Sequence, residues 1–164
     1  MIDEDIDQLT NSYLSFKLSD EFFAVHVSKV LNILELVPIT KVPKSSDVLK
    51  GVINLRGSVL GVIDIRMKFN EIISENTKET CILVLEVLID NEMVEVGAIV
   101  DSVEEVIEVK ENEIQPPLSV GTKYKSEFIT GLLKSKDKFI MILDMDKIFA
   151  FDHASMLLDD MPET

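Results

Sequence analysis

The chain has 164 residues, a mass of 18.5 kDa and a formal net charge of −14, which is enough length for one ordinary domain or two small ones. Its composition, 46% hydrophobic and 28% charged, excludes a disordered or collagen-like chain. The excess of acids disfavours general binding to nucleic acid or anionic lipid, and the single cysteine, Cys81, excludes an internal disulfide.

Both ends of the chain are acidic and contain no Lys or Arg. We expect residues 1–10 and 152–164 to be solvated tails around one domain over residues 11–151. No secretory signal is readable at the start, and no run of 18 apolar residues occurs. These features predict a cytoplasmic protein without direct membrane insertion. The net charge is +3 over residues 11–70, −11 over 71–113 and +2 over 114–151.

The first half of the domain begins with a predicted hairpin. Apolar alternation indicates strands over residues 12–18 and 22–27, turned at Ser19–Asp20. Ser28 then predicts the N-cap of a short helix, whose apolar side comprises Val30, Leu31, Ile33 and Leu34.

A prolyl loop over residues 37–47 is predicted next, followed by a second hairpin. Its strands cover residues 51–55 and 59–65, and Gly57–Ser58 is the predicted turn. The polar stretch over residues 71–79 is a candidate connector.

The second half has the same succession of patterns. Strands are predicted over residues 81–89 and 93–100, and Asp101 predicts the cap of a short helix through Ile107. After the loop of residues 110–126, a last hairpin and a short helix are predicted, with these positions: strands 128–133 and 139–143, a turn within 135–137, and a helix starting near Asp144. Short strands at this spacing predict a mainly β fold of small barrels or a sandwich, because no helix of crossover length separates them.

Two internal matches indicate a duplication. Residues 51–69 align without a gap on residues 131–149, at an offset of 80, and residues 24–36 align on residues 97–109, at an offset of 73. We interpret the chain as two copies of one hairpin, helix and hairpin unit. The only arginines, Arg56 and Arg66, both lie in the first copy, which predicts that the two copies differ in function.

No motif for nucleotide, zinc or hydrolase chemistry occurs. His26, His153 and Cys81 lack the neighbours that a base, ligand or nucleophile needs. Asp64 and Asp144 hold matching places before short helices, where a carboxylate caps free N–H groups. The sequence therefore predicts a protein that is not an enzyme and binds neither cofactor nor metal.

A nine-residue segment, Leu49 to Gly57 with the sequence LKGVINLRG, resembles the hallmark of the CheW-like domain family. The later runs VIDIR at 62–66 and VGAIVDSV at 96–103 fit the same family. The resemblance covers about residues 12–150, and without a kinase or receiver segment it is closest to the stand-alone coupling protein of that family.

This resemblance implies a mainly β fold of two small five-stranded SH3-like β-barrel subdomains with short helices. It also implies a non-catalytic adaptor in bacterial chemotaxis signal transduction, recruited to receptor arrays at the inner face of the membrane. The implied partners are the cytoplasmic tip of a chemoreceptor, a methyl-accepting chemotaxis protein, and the regulatory domain of the histidine kinase CheA. The kinase would meet one barrel, and the receptor tip an apolar groove between the barrels.

The resemblance also implies the residues that bind partners. Matching positions are Arg56 with Gly51, Asn54 and Gly57 around its turn, the apolar groove positions Leu14, Val27 and Val30, and the further candidates Asn32 and Arg66. Many members have Glu where Asn32 stands and Pro where Gly61 stands, which affects partner specificity. Strand spacing alone also allows an OB-type β-barrel nucleic-acid-binding module. The acidic net charge opposes this, and so does the small number of aromatic residues, only ten, available to stack on bases.

Overall fold

The computed structural model describes residues 11–43, 49–69, 75–117 and 126–150, which form two five-stranded sheets. The first five strands are β1 (Ser12–Leu18), β2 (Glu21–His26), β3 (Val30–Glu35), β4 (Leu49–Leu55) and β5 (Ser58–Asp64). The other five are β6 (Cys81–Ile89), β7 (Glu92–Val100), β8 (Ser102–Glu108), β9 (Ile129–Ser135) and β10 (Lys138–Leu143). Short helical segments are α1 (Arg66–Phe69), α2 (residues 145–150) and 3-10 turns at Val27–Lys29, Glu111–Glu113 and Ser126–Phe128.

The two sheets have the same strand order once each strand is replaced by its repeat. Sheet A runs β8-β1-β2-β10-β9, and sheet B runs β3-β6-β7-β5-β4. The first hairpin of each half therefore lies in the sheet that is otherwise built by the other half. The expectation of two five-stranded subdomains is confirmed, and the repeated units are interleaved rather than arranged one after the other.

The strand register reproduces both offsets of the repeat. In sheet A, β10 lies parallel to β2 with Met141 opposite Phe23, and in sheet B, β5 lies parallel to β7 with Gly61 opposite Val96. Met141 is 80 residues after Gly61, and Val96 is 73 residues after Phe23. Parallel pairing of the same strand positions in both halves confirms the duplication.

The predicted helices after Ser28 and Asp101 are wrong. Both segments are edge strands, β3 and β8, and only the 3-10 turn Val27–Lys29 separates β2 from β3. Half-buried and exposed residues alternate along β3, which is the period of a strand, and the β-branched content favours it. His26, not Ser28, caps the turn, because its Nδ1 accepts a bond from the Ser28 N–H.

The hairpins after β4 and β9 use two-residue turns with positive φ angles. Arg56 and Gly57 have φ of 52° and 85°, and Lys136 and Asp137 have φ of 50° and 64°. Positive φ at both central residues is the signature of the type I′ turn, which suits strand twist. The turn between β4 and β5 therefore lies one residue earlier than predicted, because Ser58 already pairs with Leu55.

Three apolar clusters account for the long hydrophobic strands. The central core lies between the sheets, and its large members include Phe16, Phe23, Leu83, Leu85 and Phe149. The opposite strand faces form a smaller core within each sheet, around Val62, Ile82 and Val84 in sheet B, and around Ile140 and Ile142 in sheet A. Strand β6 is thus buried on both faces, which explains the uninterrupted run Cys81–Leu85.

In neither sheet do the two edge strands pair with each other. Instead, the chain segment that follows one edge strand forms a single bridge to the other edge strand. Thr40, after β3, exchanges backbone hydrogen bonds with Val52 of β4, and Gln115, after β8, does the same with Leu132 of β9. The cap predicted for Asp144 is confirmed, since its Oδ1 accepts the Lys147 N–H at 3.1 Å. The predicted tails and His153 lie outside the described residues. Within the described ranges, no helix has the length and apolarity needed to span a bilayer.

Candidate protein-interaction site

The turn between β4 and β5 presents Arg56 to solvent. Asn54 stabilises this turn, because its Oδ1 accepts the Gly57 N–H at 3.1 Å. Val59, the next outward side chain, is 72% exposed. A guanidinium near an exposed apolar side chain on a hydrogen-bonded turn is suited to binding a protein.

On the equivalent turn in sheet A, the basic side chain is paired with a carboxylate of the same sheet. Lys136 holds the place of Arg56, and its Nζ lies 3.6 Å from the Glu105 Oε2. In sheet B the place of Glu105 is held by Asn32, whose Oδ1 accepts the neighbouring Ile33 N–H instead. Within the described part of the chain, no ion pair or side-chain hydrogen bond is recorded for Arg56, so its charge is available to a partner.

The adjacent edge strand is apolar at two outward positions in sheet B, whereas the equivalent positions in sheet A hold one acidic and one apolar side chain. Leu31 and Ile33 of β3 are exposed. The repeat-equivalent positions on β8 are Glu104 and Val106. An apolar edge next to a free arginine occurs in sheet B, which contains the hallmark segment.

The three residues expected in an apolar groove differ in their exposure to solvent. Leu14 is buried in the central core, where it has little surface to offer a partner. Val30 is half-buried and packs against the same core, and Val27 is half-buried in the 3-10 turn. The structure therefore leaves parts of Val27 and Val30 accessible, but not Leu14.

Gly51 has a structural role in closing sheet B. Its φ is 150°, and a Cβ built at this position would lie 2.1 Å from the Thr40 carbonyl oxygen. Only a glycine lets the loop backbone approach β4 this closely. Gly131 is the equivalent position in sheet A, where a Cβ would meet Ile114 Cγ2 at 2.6 Å.

Arg66 is an internal residue, which does not support the prediction that it contacts a partner. It is 3% exposed, and its Nε and Nη2 donate to the two oxygens of Asp64 at 2.8 and 2.7 Å. Its Nη1 donates to Asp101 at 3.0 Å, and the other oxygen of Asp101 accepts the Ser19 N–H. The pKa of Arg66 is raised, chiefly by the Asp64 hydrogen bonds and against the effect of burial. The network fastens sheet B to the β1–β2 turn of sheet A.

Sequence reasoning missed the counterpart of this network. Lys29 Nζ contacts both carboxylate oxygens of Asp146 at 3.0 and 2.9 Å, and Asp146 also accepts the Leu88 N–H. The repeat alignment already matched Asp146 with Arg66. The opposite charges at these equivalent positions could have indicated that each forms an ion pair.

The described residues contain no cluster of three or more His, Cys, Asp or Glu able to hold a metal ion. Cys81 is buried, and burial raises the pKa of its thiol. His26 is engaged with Ser28 Oγ at 2.8 Å and with the edge of the Tyr13 ring. These contacts are those of packed and capping residues.

Comparison with known proteins agrees with this architecture. The sequence family described as the CheW-like domain matches residues 12–152. The chain belongs to the CheW-like domain family. One relative, a chemotaxis protein CheW of Thermotoga maritima, is 34% identical over 144 residues, covering 82% of this chain and 85% of that protein. Another chemotaxis protein CheW, from Rhizobium meliloti, is 29% identical over 83% of this chain and 85% of its own length.

A solved structure of a CheW-like protein has the same fold. The scaffolding protein TtCheW from Thermoanaerobacter tengcongensis superposes with a TM-score of 0.77 at 33% identity, covering 85% of this chain and 88% of that one. The family departure at Gly61 is sterically mild, because a Cβ there would meet only Leu49 Cδ1 at 3.8 Å.

Proposed function

We propose that this protein is a non-catalytic adaptor in bacterial chemotaxis signalling. It couples the cytoplasmic tips of chemoreceptors to the regulatory domain of the histidine kinase CheA, in the cytoplasm at receptor arrays. Support comes from family membership over residues 12–152 and from the relatives, which are named as chemotaxis and scaffolding proteins. Partner binding rather than chemistry also agrees with the packed and capping roles of His26 and Cys81.

One observation carries the choice of binding surface. Arg56 lies on an exposed turn with no acidic partner in its own sheet, whereas the equivalent Lys136 is paired with Glu105. The surface proposed for docking comprises Arg56, Val59, and the outward side chains of the β3 edge, Leu31 and Ile33. Arginine and exposed apolar side chains together are the usual composition of an interface hot spot.

The test is a titration of the full chain with two separate fragments, a receptor cytoplasmic tip and a kinase regulatory domain. Arg56→Asp should weaken binding of at least one fragment by about 2 kcal/mol, or roughly 30-fold, while the circular dichroism spectrum stays unchanged. Lys136→Asp is the matched control, because it makes the same charge change on the equivalent turn of sheet A. Failure of the unaltered chain to bind either fragment would contradict the proposal.

A further inference from the structure

The end of the β6–β7 hairpin, residues 86–95, is called here the acidic tip. Strand β6 pairs with β3 over Cys81–Leu85, and β7 pairs with β5 over Val96–Ile99. Beyond those ranges, the hairpin strands pair with each other across the Asp90–Asn91 turn. The acidic tip is therefore a two-stranded ribbon that extends past the neighbouring strands of sheet B.

Two cross-strand pairs share one face of the acidic tip. Leu88 lies opposite Met93, and Glu86 lies opposite Glu95. The alternate pair, Val87 with Val94, faces the central core. Leu88 is 43% and Met93 is 53% exposed, so this face presents an apolar pair directly beside a pair of carboxylates.

The Glu86–Glu95 pair is unfavourable in the isolated protein. Like charges directly opposite each other on a sheet repel, and residues 81–100 contain no Lys or Arg. In the described ranges, neither carboxylate is recorded in an ion pair. A feature that costs stability in the free chain is relieved when a cation is placed between the two carboxylates.

In sheet A, lysine side chains of the same chain cover the equivalent position. The equivalent pair there is Lys17 opposite Phe22. The Nζ atoms of Lys138 and Lys17 lie 4.3 and 5.5 Å from the centre of the Phe22 ring. In sheet B, Ser58 holds the place of Lys138, so the cation that covers this position in sheet A has no counterpart.

We propose that the acidic tip docks an α-helical segment of another protein that carries a Lys or Arg one turn away from an apolar side chain. Successive pairs on one face of a hairpin are about 7 Å apart, and residues i and i+4 of a helix are separated by about 6 Å along its axis. The cation binds between Glu86 and Glu95, and the apolar side chain packs on Leu88 and Met93. The acidic segments 1–10 and 152–164 cannot supply this cation, because they contain no Lys or Arg.

This surface is distinct from the one proposed around Arg56. It attracts the opposite charge, although both lie at the same end of sheet B because β5 and β7 run parallel. The inference does not depend on the identity of the receptor or the kinase.

The test uses the full chain with its methionine methyl groups labelled for NMR. The probe is an alanine-rich helical peptide of ~20 residues, long enough to be helical, with Leu and Lys at i and i+4 along one face. A second peptide has Glu in place of each Lys. The Met93 methyl resonance, assigned with Met93→Leu, should shift with the first peptide and not with the second.

Two variants separate the acidic tip from general charge attraction. The double variant Glu86→Gln, Glu95→Gln should weaken peptide binding at least tenfold, whereas Glu92→Gln should leave it unchanged, because Glu92 lies opposite Ile89 on the other face of the hairpin. Equal binding by both variants, or an unshifted Met93 methyl at millimolar peptide, overturns the proposal. A Met93 shift that depends on protein concentration without peptide assigns the face to a second copy of the chain and also overturns it.

Discussion

Arg66 and Asp146 occupy equivalent positions, 80 residues apart, yet they carry opposite charges. Arg66 binds Asp101, which accepts the N–H of Ser19 in the first hairpin, while Asp146 binds Lys29 and itself accepts the N–H of Leu88 in the equivalent hairpin. The two halves thus fasten the same hairpin backbone with ion pairs of reversed polarity. Only the Arg66 pair is buried.

Arg66→Ala should destabilise the protein by about 3–5 kcal/mol, because it leaves the buried Asp64 carboxylate without its cation. Lys29→Ala removes the half-exposed equivalent and should cost about 0–1 kcal/mol. Urea denaturation of both variants measures the difference. Costs of similar size would show that burial does not distinguish the two ion pairs.

Gly51→Ala should be strongly destabilising, because its Cβ would overlap the Thr40 carbonyl and the backbone cannot move without breaking the Thr40–Val52 bridge. We expect a loss of about 2 kcal/mol or more in the free energy of unfolding. Gly57→Ala is the control: a Cβ there meets no atom within 4 Å, so only its positive φ contributes, at about 1 kcal/mol. Equal losses would place the effect in backbone strain alone.

Asn32→Glu should create in sheet B the ion pair that Lys136 and Glu105 form in sheet A. Its effect on stability should be under about 1 kcal/mol, because the pair is exposed. The informative measurement is partner binding, which should weaken as the new carboxylate competes for the Arg56 guanidinium, and the weakening should fade in high salt. Unchanged binding would mean that Arg56 is not the cation the partner uses.

Cys81 should resist alkylation in the folded protein and react once urea is added. Burial raises the pKa of its thiol above its ordinary value, and the thiolate is the reactive form. The folded state therefore binds the thiol proton more tightly than the unfolded state does. The thiol does not affect the free energy of unfolding while it is protonated in both states, and the free energy of unfolding decreases as the pH rises through the ordinary pKa of a thiol. Rapid labelling of the native protein at pH 8 would contradict this.

The duplication, the strand content and the hairpins could all be predicted from the sequence, because they depend on apolar alternation and turn residues. The helices predicted after Ser28 and Asp101 were wrong. In β3 the exposed face also carries apolar residues, Leu31 and Ile33, and together with Val30 and Leu34 on the half-buried face they imitate helical spacing. Exposure of Arg56 followed from its glycine turn. The burial of Arg66 did not, since the network around it includes Asp101, 35 residues away in the chain, as well as the nearby Asp64.

The interleaving of the halves has an evolutionary meaning. A half-length chain with this topology would leave its first hairpin without a complete sheet, and two such chains would exchange hairpins to form a symmetric homodimer with the same two sheets. Fusion of two such chains would release the sites from that symmetry. One subunit's descendant could keep Lys136 paired to Glu105, while the other left Arg56 unpaired and placed Glu86 against Glu95. A symmetric ancestor would have presented two identical surfaces, whereas the two halves of this chain present unlike ones.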